Sequence, residues 1–134
     1  MDARENLLTR RSIRSYKNDP IPTDVLDRIL EAGTYAASGM GQQPAIILAI
    51  TDRATRDELS RLNQKARGGD TDPFYGAPVV LAVLAAKERP TYIYDGSLVI
   101  GNLMLAARAE GLGSCWIHGA KEEFELPEGR ALLE

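Results

Sequence analysis

Apolar and polar residues alternate along the chain in a way that sets out most of its elements. Residues 2–9 read as a short helix with Leu7 and Leu8 as its apolar contribution. Pro20 and Pro22 forbid a helix across the next stretch and favour extended or turn backbone. Thr23 then serves as an N-cap with Asp24 in the first turn. Val25, Leu26, Ile29, Leu30 and Gly33 recur at helical spacing, predicting an amphipathic helix over about 24–37. It ends in Ala36, Ala37, Ser38, Gly39, Met40 and Gly41, small residues whose backbone can approach another group closely. A plain cap and turn is the commoner meaning of such glycines. Ala45 to Ile50 is an apolar run without alternation, which predicts a strand covered on both faces. Asp52 or Thr55 caps a further helix, Thr55 and Glu58 fit the capping-box pattern, and Leu59 and Leu62 supply the buried side. Lys65 to Pro73 is a polar, Gly-containing loop, and Val79 to Leu84 reads as a second buried strand.

The longest pattern is a helix from about Thr91 to Glu110. Leu98, Val99, Ile100, Leu103, Met104, Leu105, Ala106, Ala107 and Ala109 cover most of its circumference, so it calls for burial on nearly all sides. The centre of a monomer or the wall supplied by a second copy would satisfy this equally well. Gly111 and Gly113 stop the helix, Ser114 to Ile117 reads as a short third strand, and a final helical segment begins near Glu128. The order α, α, β, α, β, α, β and part of a helix describes an α/β or α+β chain with helices packed on a small sheet. Three strands are few for such a sheet, and the last pattern stops inside a helix, so the reading expects further structure beyond Glu134 or from another subunit.

Composition narrows the class. A length of 134 residues suggests one domain, spanning 1–134. Net charge is −3, which argues against a general nucleic-acid or membrane-surface binder. One cysteine excludes an internal disulfide framework, and with one histidine it leaves few soft metal ligands. The charged N-terminus has no signal-peptide h-region, and no apolar run is long enough to span a bilayer, so the default is a cytoplasmic protein.

Against this acidic background one cluster stands out: Arg10, Arg11, Ser12, Ile13 and Arg14. Forked guanidinium donors beside a hydroxyl suit a phosphate. A solvated helix end, with Arg side chains near the last carbonyls, is the simpler meaning of these residues taken alone. Familiar catalytic patterns are missing. There is no Gly-rich dinucleotide fingerprint after a strand, no P-loop, and no nucleophile evident for the single histidine, His118. Cys115 reads as a small core residue, and His118 as a structural histidine at a strand end.

Taken together, Arg10-Arg11-Ser12-Ile13-Arg14, the small-residue loop running to Gln43-Pro44, and Gly111-Leu112-Gly113-Ser114-Cys115-Trp116-Ile117 resemble the flavin-dependent nitroreductase family. The resemblance covers essentially the whole chain. It implies an α+β fold of three-layer type, with a small mixed, largely antiparallel sheet flanked by helices and without the family's C-terminal strand and basic tail. It also implies a homodimer with FMN between the subunits. Arg10, Ser12 and Arg14 would then meet the flavin phosphate and ribityl chain, with Arg11 beside them. Ala37, Ser38 and Gly39 would border the ring from the other subunit, with Gln43 supporting their loop. Trp116, Ile117, His118 and Gly119 would lie along the ring, with N–H groups at His118 and Gly119 reaching toward N5. Gly41 stands where the family commonly has Asn, so a polar ring contact is lost or moves to Gln42.

The implied activity is hydride transfer from NAD(P)H through FMN to a small electron acceptor, such as a nitroaromatic or quinone, in ping-pong fashion. The cofactor carries that chemistry, so no catalytic side chain is required. Two other readings stay open: a flavin-binding protein without catalysis, and a dimeric domain without cofactor.

Overall fold

The computed structural model describes residues 1–134. In chain order it contains α1 (Ala3–Thr9), α2 (Thr23–Thr34), β1 (Ala45–Ile50), α3 (Arg53–Arg67), β2 (Val80–Ala85), α4 (Tyr92–Ala109), α5 (Ala120–Glu125) and α6 (Pro127–Leu133). Strands β1 and β2 form a two-stranded antiparallel sheet, extended by the bond from the Ala86 N–H to the Pro44 carbonyl at 3.2 Å. A single parallel bridge joins Ser12 to Ser114, which makes the β-structure mixed. No helix is long and apolar enough to cross a membrane.

The chain divides into two units. The first comprises Met1–Ile13, Ile21–Leu48 and Leu81–Trp116. Its core is Ile29 of α2 against Val99, Leu103 and Ala107 of α4, flanked by Ile47, Leu81 and Val83 from the strands. The 99, 103, 107 spacing is one stripe of a helix, and α4 lays it along α2. Polar side chains pin the edges of this packing. Asn102 donates to the Ala32 carbonyl at 3.0 Å, and Arg28 donates to Glu110 through Nε and Nη2 at 2.7 and 3.0 Å. Asn6 of α1 donates to the Leu105 carbonyl at 2.8 Å.

The second unit comprises Arg14–Pro20, Ala49–Val80 and Ile117–Glu134. Here α3 is the organising helix, started by the Asp52 carboxylate accepting from the Thr55 N–H at 2.9 Å. Leu59 and Leu62 are its buried apolar residues, as the spacing predicts. Arg56, Ser60 and Asn63 of the same helix are also buried, and each is hydrogen bonded.

Several sequence expectations change. Ser114–Ile117 is not a strand, because Ser12 offers it a single bridge and the chain supplies no further ladder partner. α2 stops at Thr34, short of 37, and its N-cap is Pro22, with Thr23 already helical and no side-chain cap bond. β1 is not covered on both faces: Ile46 is 58% exposed. Within the single chain α4 is covered on one side only, since Ile93, Tyr94 and Leu98 are 51–71% exposed. α3 runs on to Arg67, through the start of the expected polar loop, and α5 is an element the apolar pattern does not reveal.

Candidate functional site

In the first unit, α1 ends at Thr9 and delivers Arg10, Arg11 and Ser12 in extended backbone. Arg11 turns back on its own helix: its Nη1 donates to the Leu8 and Arg10 carbonyls at 3.1 and 2.9 Å. That is the simple role of a cation at a helix C-terminus. Arg10 differs. Its Nη1 is buried and has no partner in the chain. Leaving part of a guanidinium dry and unpaired is costly, and an anion placed there would remove the cost.

Arg10, Arg11 and Ile13 line a cleft of about 380 Å³ together with Arg108 and Gly111–Ser114. The motif before α2 and the motif after α4 are thus brought to one place, fastened by the Ile13 N–H donating to the Ser114 carbonyl at 3.0 Å. Arg108 is a residue that sequence reasoning missed. It donates to the Thr9 hydroxyl through Nη2 at 2.7 Å and Nε at 3.2 Å, tying the end of α4 to the residue before Arg10. Its signal in the sequence is faint: one cation in the last turn of an otherwise apolar helix.

The small-residue loop lies in the same unit. Ala37 is exposed, and Ser38 and Gly39 are half-buried. Gln43 closes the loop, its N–H donating to Ser38 Oγ at 2.9 Å and its side chain to the Thr34 carbonyl at 3.3 Å. Met40 and Gln43 have φ values of 57° and 47°, the left-handed region that side chains disfavour. Asp95 holds this conformation. It is 3% exposed, accepting from the Gly39 N–H at 2.9 Å and from the Thr91 hydroxyl at 2.8 Å. Glycine is required at 39, since a Cβ there would run into the Thr91 hydroxyl. Asp95 was also missed, although an acid inside an apolar helix pattern is a readable sign of a buried polar anchor.

Trp116 is 54% exposed and Cys115 half-buried, so neither is a core residue. In the second unit, Ile117 is half-buried, and the exposed His118 imidazole lies 3.9 Å from the Glu122 carboxylate. Gly119 is buried and has φ 118°, a conformation open to glycine. Behind it, burial pushes the Glu123 carboxyl above its ordinary pKa, partly offset by the hydrogen bond from Asn63. Arg14 opens this unit's first segment and is exposed.

With this geometry in view, the family is clear. Residues 7–128 match the nitroreductase family. The chain belongs to that family. A crystal structure of an FMN-bound nitroreductase from Bacteroides fragilis superposes with a TM-score of 0.89 at 31% identity, covering 96% of this chain and 76% of that one. The NADH dehydrogenase of Thermus thermophilus is 40% identical over 88 residues, 66% of this chain and 40% of that protein. The NADPH-flavin oxidoreductase of Vibrio harveyi is 27% identical, over 96% of this chain and 61% of that protein.

Proposed function

We propose that this protein is an FMN-dependent oxidoreductase that passes a hydride from NAD(P)H to a small electron acceptor, in ping-pong turnover. The observation that carries the reading is the cationic cleft at Arg10, whose buried Nη1 lacks a partner, set within a nitroreductase-family chain. Bound FMN would supply the two-electron chemistry, accepting and releasing hydride at N5. The chain's own residues would hold and orient it. Arg10, Ser12 and Arg14 would take the phosphate and ribityl chain, with Arg11 bracing the end of α1 beside them. Ala37, Ser38 and Gly39, with the loop held by Gln43 and Asp95, would border the ring from one subunit. Trp116, Ile117, His118 and Gly119 would run along it from the other. Exposed Ile93, Tyr94 and Leu98 on α4 support a homodimer, because apolar side chains in such a group suit an interface. We read the chain as a single FMN-binding domain working in the cytoplasm, on a small-molecule acceptor such as a nitroaromatic or quinone.

The test is a visible spectrum of the purified protein before and after FMN addition and desalting, followed by stopped-flow mixing with NADH and NADPH. A retained flavin band bleached by either nucleotide supports the reading. A retained band that neither nucleotide bleaches makes the protein a flavin binder without this activity. No retained flavin overturns the cofactor assignment.

A further inference from the structure

The turn at His118 and Gly119 is held from outside its own sequence. The His118 carbonyl accepts from Arg67 Nη1 at 2.9 Å and from Asn63 Nδ2 at 3.2 Å, both from the last turns of α3. Asn63 is 5% exposed, and the same Nδ2 donates to the buried Glu123 carboxylate at 2.9 Å, which fixes the amide's orientation. The Gly119 carbonyl accepts from the Glu123 N–H at 2.9 Å. A Cβ on Gly119 would lie 2.6 Å from both Asn63 Nδ2 and Arg67 Cδ, so the backbone sits directly on these two side chains.

This arrangement has an electronic consequence. The peptide joining His118 and Gly119 is trans, so its N–H points opposite to its carbonyl, away from Asn63 and Arg67. Two donors on one carbonyl, one of them a guanidinium, draw electron density through the amide and make its N–H a stronger donor. None of the hydrogen bonds that hold the turn uses the Gly119 N–H.

We propose that Arg67 and Asn63 are positioning residues, which clamp the His118 carbonyl and thereby aim and strengthen the Gly119 N–H as a hydrogen-bond donor to the flavin ring. The proposal rests on the flavin reading above. A donor at the ring withdraws electron density and makes the oxidised cofactor easier to reduce. Arg67 is exposed, so replacing it leaves the core of the unit intact.

The experiment compares Arg67→Met and Arg67→Lys with the parent. The midpoint potential is measured on the FMN-loaded protein and the Gly119 amide proton shift by NMR on the FMN-free protein. In Arg67→Met the equilibrium constant for two-electron reduction should fall about tenfold, a shift of about 30 mV to lower potential. The Gly119 amide proton should move upfield, and FMN affinity should stay within about threefold of the parent, because the phosphate cleft is untouched. Arg67→Lys, which keeps a cationic donor, should restore most of both signals. A potential and an amide shift that both match the parent, in an Arg67→Met protein that binds FMN, overturn the proposal. A parent that takes up no FMN overturns the flavin reading and the donor role with it. In that case the amide shift still decides whether the clamp polarises the peptide.

Discussion

Two arginines, Arg10 and Arg56, show how one residue type can serve a fold or a ligand. Arg56 is 2% exposed and fully engaged: Nε donates to the Ala77 carbonyl at 2.8 Å, Nη1 to Asp57 at 3.1 Å and Nη2 to Asp72. Its guanidinium also lies 5.4 Å from the centre of the Phe74 ring. Asp72 in turn accepts from Ser60 and from the Phe74 and Gly76 N–H groups. Residues 72–77 of the loop after α3 are thereby tied to the helix, and the Arg56 and Asp72 charges answer each other inside the chain. Arg10 is the opposite case, with Nη1 buried and unanswered. The lesson is that an unmet bond on a buried donor atom of a half-buried cation, more than its position in a motif, points to a ligand.

The largest test of this contrast is Asp72→Ala. It leaves Arg56 buried without its main counter-charge and should cost about 3 kcal/mol of unfolding free energy in urea. Folded Asp72→Ala protein should bind FMN almost as the parent does. Burial raises the pKa of Asp72, but the Arg56 guanidinium, the Gly76 and Phe74 N–H groups and the Ser60 hydroxyl outweigh it and hold the carboxyl at about 2, below its ordinary 3.8. A depressed carboxylate contributes stability above its unfolded pKa and loses it as pH falls. Parent stability should therefore decline between about pH 4 and pH 2 through this group, and Asp72→Asn should flatten that part of the curve.

Next comes Arg10→Ala. Titration should show FMN binding weakened by about 1.5–3 kcal/mol, the scale of one hydrogen bond to a charged group. Its unfolding free energy should change by less than about 0.5 kcal/mol. If Arg10→Ala unfolded the protein while Asp72→Ala abolished FMN binding, the contrast would be inverted and the site assignment wrong. Arg11→Ala sharpens the point. Because Arg11 already donates to the Leu8 and Arg10 carbonyls, its loss should cost about 0.5 kcal/mol of stability and weaken FMN less than Arg10→Ala does.

The smallest expected effect is at Glu123. Burial raises its pKa, so the ionised form burdens the folded state, and stability through this group is lost as pH rises past the folded value. Glu123→Gln keeps an acceptor for Asn63 and should unfold at a slightly higher temperature than the parent at about pH 8, with the gain vanishing near about pH 4.

Much was legible in the linear pattern. The helical spacing of Val25, Leu26 and Ile29, the apolar runs of β1 and β2, and the caps and glycines around α3 and α4 are local signals, since one segment's backbone and side chains set them. The Arg cluster and the Gly111–Ile117 segment were equally readable as motifs, and they carried the family resemblance. The long-range pairings were not readable. Ser114 meeting Ser12, Arg108 reaching Thr9, and Asp95 holding Gly39 join residues 56–102 positions apart. Nothing local distinguishes the partners from their neighbours.

By itself, then, the sequence determined every helix except α5, the strands β1 and β2, and the family resemblance, because periodicity and motif spacing are properties of neighbouring residues. Only the tertiary structure decided which charges are spent inside the chain and which stay open. Arg56 and Arg10 look alike in one dimension. Their difference lies in whether the fold brings a carboxylate to the guanidinium, and that depends on how distant segments pack.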